Sequence, residues 1–133
     1  MNFEPLTDEQ IDLQGLMPEG FYPFEVINAE EKISNSGNPM IALKLKVWDA
    51  DGKERGMLDW IMPSFARKLK HFCKITDMLD KYSAGTLLAE DCEGKSGHLR
   101  VANERDKDGK MRNRVADYVK VTDGKMIDDD IPF

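Results

Sequence analysis

Ile41, Leu43, Leu45 and Val47 alternate with Ala42, Lys44, Lys46 and Trp48, a two-residue period that an extended strand with one apolar face satisfies. A helix would scatter those four apolar side chains around its circumference, so a sheet is the organising element of the chain. Upstream, 21–33 is rich in aromatic and β-branched residues and runs into Asn35-Ser36-Gly37-Asn38, a turn cluster that makes the two strands a hairpin. Asp51-Gly52 closes the second strand. A third, from about Arg55 to Met62, stops at Pro63-Ser64, which also offers a helix N-cap. Asp59 is expected to face water, which turns Leu58 and Trp60 inward and makes Trp60 a core residue.

Phe65, Leu69 and Phe72 fall at i, i+4 and i+7, the apolar face of a helix whose solvated side carries Arg67, Lys68, Lys70 and Lys74. Thr76-Asp77 starts a second helical turn through Tyr82, ended by Ser83-Ala84-Gly85. Two strands follow, His98 to Glu104 and Arg114 to Val121, joined by a turn at Asp108-Gly109. In the last strand Val115, Val119 and Val121 want one face, yet Asp117 shares it, so a bulge or shifted register is expected. Three strands, a helix and two strands is the chain order of the OB-fold, a mainly β, five-stranded, partly open barrel with a helix at one end. A small open α+β sheet is the rival architecture. At 133 residues the chain suits one domain. The division is an irregular N-terminal arm over 1–19, the barrel over 20–121 and an acidic tail over 122–133.

The net charge of −6 argues against a nucleic-acid partner only until it is divided along the chain. The first 13 residues carry −4 and 122–133 carry −3, which leaves the body at +1. Within that body, 94–120 hold eight Lys and Arg against four Asp and Glu. A basic lobe with acidic ends fits a strand binder with a separate tail. No apolar window approaches a membrane span, and the N-terminus lacks a secretory pattern, so a cytoplasmic protein is expected. Cys73 and Cys92 form no CxxC pair and are expected as thiols. His71, Cys73, Cys92 and His98 have ligand chemistry, but their spacing matches no zinc motif. Neither a metal nor a cofactor is therefore expected.

The chain ends Asp128-Asp129-Asp130-Ile131-Pro132-Phe133, carboxylates followed by an apolar hook. The aspartates supply a salt-sensitive field toward basic patches, and Ile131 and Phe133 supply apolar area for a pocket. Pro132 stiffens the hook, and the carboxylate of Phe133 would pair with an arginine. This ending resembles the acidic tip of bacterial and phage single-stranded DNA-binding proteins. The resemblance widens through Pro18-Glu19-Gly20-Phe21-Tyr22, Ala29-Glu30, Ser36-Gly37-Asn38-Pro39-Met40, Ile41-Ala42-Leu43-Lys44-Leu45 and Glu93-Gly94-Lys95, which are similar to small phage and prophage members. It implies an OB-type fold, non-specific binding to exposed single strands, and recruitment of replication or recombination enzymes by Asp128 to Phe133. Cellular relatives have a longer linker before the tip, whereas here only Thr122 to Ile127 intervenes.

Sequence-tolerant strand binding needs cations for phosphates and flat side chains for bases. Lys44, Lys46 and Trp48 project together from the outer face of the second strand. Arg100, Arg105, Lys107, Lys110, Arg112 and Arg114 flank the last hairpin, a loop that OB-folds commonly use for oligonucleotides. Tyr118 would join them if its face of the last strand is outward, and Lys120 with it. The expected function is coating of single-stranded DNA in replication, recombination and repair. The competing reading is an adaptor or inhibitor that displays a host-like tip to capture repair enzymes. No nucleophile triad, phosphate-cradling loop or HExxH stretch is present, so an enzyme is not expected. An exposed edge strand could pair between copies as a homo-oligomer.

Overall fold

The computed structural model describes residues 1–122 and 125–127. Its elements are α1 (Asp8–Leu13), β1 (Gly20–Ile33), β2 (Pro39–Trp48), β3 (Glu54–Ile61), α2 (Ala66–Ile75), α3 (Leu79–Ala84), α4 (Ala89–Cys92), β4 (Ser96–Arg105), β5 (Met111–Thr122) and β6 (Lys125–Ile127). The strands lie in the order β3-β2-β1-β4-β5-β6, and every paired neighbour is antiparallel. β1 is long enough to serve two partners. Its first half pairs with β4 and its second with β2, and the register shifts between Val26 and Asn28. Such a bulge bends and twists a strand, which curls the sheet toward a barrel. A mainly β sheet of five principal strands, not closed, with a helix between β3 and β4, is an OB-like fold.

Inside the curl, Leu43, Leu45 and Val47 of β2 meet Phe24 and Val26 of β1, Leu99 and Val101 of β4 and Phe72 of α2. Phe24, Phe72 and Tyr118 form a ring cluster with centroids 5.0 to 6.5 Å apart. β4 approaches α2 so closely that a Cβ on Gly97 would lie 2.4 Å from the Ile75 side chain. Gly85 ends α3 in the left-handed region at φ 73°, where glycine meets no steric penalty.

Among the described residues β3 and β5 share no backbone ladder; side chains bridge them instead. Tyr118 donates its hydroxyl to Asp59 Oδ2 at 2.6 Å, and Lys68 Nζ donates to Asp59 Oδ1 at 2.8 Å and to the Val115 carbonyl at 2.9 Å. His71 Nδ1 sits 2.9 Å from Asp117. This clasp reverses four expectations. Asp59 is 6% exposed rather than solvated, because Met57, Asp59 and Ile61 share the inward phase opposite Ile41, Leu43 and Leu45. A buried carboxylate is tolerable here because it is paired and hydrogen-bonded. Leu58 and Trp60 therefore point outward, at 61% and 43% exposure. Lys68 leaves the solvated side of α2 for the clasp. Tyr118 is 1% exposed, so it cannot stack on a nucleobase. The cause is the expected bulge: Val101 pairs with Val115 while Arg100 pairs with Asp117, so Ala116 is an extra residue. One extra residue brings both Val115 and Tyr118 to the core. Phe65, expected inward, is exposed in a 3₁₀ turn (Pro63–Phe65) ahead of α2.

The N-terminal arm is more ordered than an irregular segment. Thr7 and Gln10 form a reciprocal capping box on α1. Beyond it Met17 is 2% exposed within the core. Asn113 of β5 holds Met17 by both backbone groups, at 2.9 and 3.0 Å, and Arg55 of β3 donates to the Gly15 carbonyl at 2.8 Å. The arm thus straps the start of β3 to the start of β5. Asn113→Ala removes both anchors and is expected to lower stability by about 1–2 kcal/mol, read as a lower urea midpoint.

Candidate nucleic-acid interface

The period of β2 turns Lys44, Lys46 and Trp48 away from the core, and the β2–β3 register sets what stands beside them. Lys44 is opposite Leu58, Lys46 opposite Gly56, Trp48 opposite Glu54, and Ala42 opposite Trp60. Gly56 offers no side chain, so the surface beside Lys46 is open. Trp48 and Trp60 mark the two ends of this face, separated by about 20 Å at the rise of a strand. Lys46 Nζ lies 6.0 Å from the Trp48 ring centroid and 3.7 Å from Glu54, while Lys44 has no ion-pair partner among the described residues. On the β1 side Glu25 and Asn28 stand opposite Lys46 and Lys44, and Ile27 is exposed at the bulge. Farther along, exposed Phe21 pairs with Arg100 of β4.

The hairpin between β4 and β5 is cationic but largely self-paired. Arg105 reaches Asp12 of α1 at 3.2 Å and the Gly109 carbonyl at 2.8 Å, Arg112 reaches Asp106 at 3.1 Å, and Arg114 pairs with Glu104. Arg100, Lys107 and Lys110 have no ion-pair partner among the described residues. The Lys110 backbone N–H and the Arg112 side chain hold the Asp106 carboxyl below its ordinary range, so Asp106 closes the turn as an anion. Exposed pairs of this kind are worth little individually, and a phosphate can replace the carboxylate. The structure therefore brings Lys44, Lys46 and Trp48 together on one face and gathers the hairpin cations on a separate projection beside the arm. Asp128, Asp129, Asp130, Ile131, Pro132 and Phe133 lie outside the described residues.

Trp60, Leu58, Phe21 and Ile27 belong to this outer surface and were not among the expected contacts. Trp60 was legible once β2 was phased, since a residue directly opposite Ala42 must share its outward face.

Residues 6–131 match the family described as "Protein of unknown function (DUF669)". The chain belongs to this family. In this DUF669 member the match spans most of the arm, the barrel and most of the acidic tail. No curated protein matches the chain. Among the described residues no helix is long and apolar enough to cross a membrane.

No group of three or more His, Cys, Asp or Glu among the described residues could hold a metal. His71 faces Asp117, and both cysteines are buried. Burial pushes the Cys73 thiol up to about 11 and the Cys92 thiol up to about 12, so both stay protonated at neutral pH. The thiolate is the reacting species. The folded protein is therefore expected to resist alkylation of both thiols at pH 7.5, with two equivalents taken up on unfolding, as mass spectrometry would register.

Proposed function

We propose that this protein binds single-stranded DNA without sequence preference, coats it during replication, recombination or repair, and engages partner enzymes through Asp128 to Phe133. The observation that carries the reading is the outer face of β2 and β3, where Trp48 and Trp60 flank Lys44 and Lys46. Trp60 is exposed and Trp48 half-buried on the outer face of the sheet, and neither belongs to the core cluster. They offer flat apolar area to any unpaired base, while the ammonium groups between them attract the phosphates. Lys107, Lys110 and Arg100 extend the cationic surface, and Arg105, Arg112 and Arg114 exchange carboxylates for phosphates as a strand approaches. Duplex DNA hides its base faces, so the aromatic contribution favours unpaired strands.

Titration of labelled single-stranded and duplex oligonucleotides at several salt concentrations tests the proposal. Tighter binding of the single strand, quenched Trp emission and a linear fall of log affinity with log salt are the expected results. No measurable affinity for unpaired oligonucleotides at low salt refutes it.

A further inference from the structure

At the end of the sheet away from Trp48, one residue beyond Trp60 on β3, the β1–β2 hairpin, the end of β3 and the α2–α3 region enclose a groove of about 580 Å³. Ile33, Met40, Ile61, Leu69, Leu87 and Leu88 make it apolar, and Glu31 is the single carboxylate on its lining. Its rim is basic. Lys32 and Lys81 line it, and Lys70 Nζ lies 5.5 Å from the ring centroid of Tyr82, another lining residue. The carboxylates that meet Lys32 and Lys81 are Glu30 at 3.8 Å and Asp91 at 4.0 Å, long contacts in which both lysines and Glu30 are about half-exposed and Asp91 less so. Such pairs are readily exchanged for another carboxylate. None of Lys44, Lys46, Trp48, Leu58 and Trp60 lines the groove.

We propose that this groove receives residues 128–133 of a second copy of the chain. The complementarity is direct: Ile131 and Phe133 need an apolar pocket of this size, and the three aspartates before them need a basic rim. The arrangement of α2 favours a neighbouring copy over the same one. Lys68 and His71 face β5, whereas Ala66, Leu69 and Cys73 face the groove. At 100° per residue these two sets lie on roughly opposite sides of the helix. Residue 128 follows β6, whose Ile127 stands opposite Lys120 of β5, so the segment starts beside β5 and must pass α2, about 10 Å wide, to reach its own groove. A neighbour's groove carries no such obstacle. Segment and groove are different surfaces, so the contact is head-to-tail and builds open chains rather than a closed dimer. It leaves the aromatic face free and stands whether or not that face binds DNA.

Two full-length variants test this by sedimentation across a wide concentration range. Phe133→Ala keeps the groove and loses the hook, whereas Lys32→Glu with Lys81→Glu keeps the hook and loses the rim. The wild-type protein is expected to associate progressively and less so in high salt, and each variant alone to remain monomeric. Mixed in equal amounts, the two should form a heterodimer and nothing larger, since one intact hook meets one intact groove. Both lysines are half-exposed, and unchanged thermal unfolding of the double variant excludes misfolding. Should that variant be destabilised, adding Asp128→Lys, Asp129→Lys and Asp130→Lys to it reverses both charges in one chain, and association must return. A wild-type monomer at all concentrations, wild-type-like association of Phe133→Ala, or failure of the mixture to pair each overturns the proposal.

Discussion

If the aromatic face binds DNA as proposed, replacing Trp48 and Trp60 together by alanine is expected to lower affinity for unpaired oligonucleotides by about 10²–10³-fold. Each stacked base contributes roughly 1–3 kcal/mol, and the two indoles sit far enough apart to act on different bases and so nearly additively. Both side chains stand on the outer face and carry little of the core packing, so thermal unfolding should change little. Fluorescence anisotropy with a labelled oligonucleotide measures the loss. The salt slope should stay as in the wild type, because the phosphate contacts are intact. Lys44→Ala with Lys46→Ala is the complementary result, with weaker binding and a flatter slope. An unchanged affinity in the double tryptophan variant would move the binding surface to the β4–β5 hairpin.

Asp59→Ala is the substitution expected to damage the fold most. It strips Lys68 of its counter-charge and leaves the Tyr118 hydroxyl without its acceptor. Burial and the neighbouring Asp59 push the Tyr118 phenol well above its ordinary value, so it remains a donor throughout the neutral range. Removing one partner from a buried pair costs about 3–5 kcal/mol, because the remaining charge stays dehydrated. Urea unfolding should show this as a large drop in midpoint. Replacing all three groups, with Asp59→Leu, Lys68→Met and Tyr118→Phe, should recover most of that loss, since apolar residues of similar volume leave nothing unpaired. A mild effect of Asp59→Ala alone would mean that water reaches the clasp.

The sheet was legible because β2 advertises its phase: four apolar residues at alternate positions, with hairpin turns on both sides, admit one orientation. The helix between β3 and β4 and the bulge in β5 were legible for similar reasons of period and conflict. What escaped was every place where a polar residue belongs inside. Asp59 reads as a surface residue until Lys68 and Tyr118 are seen around it, and those partners lie 9 and 59 positions away along the chain. That single inversion carried Leu58 and Trp60 to the wrong face. Tyr118 failed by one residue, because a bulge can be inferred from a mismatch but its exact position decides which aromatic is buried. The arm escaped because Met17 is one apolar residue in a polar stretch and shows no period. Of the candidate site, Lys44, Lys46 and Trp48 were readable from β2 alone. The carboxylate partners of the hairpin arginines were not, since Asp12 reaches Arg105 only through the folded arm.

The line where β3 meets β5 gives the molecule a built-in seam. β1 is stitched to a neighbour along both margins, whereas β3 and β5 face each other across amino-acid tips and a strap. The shell is therefore expected to open first along that line rather than through the sheet.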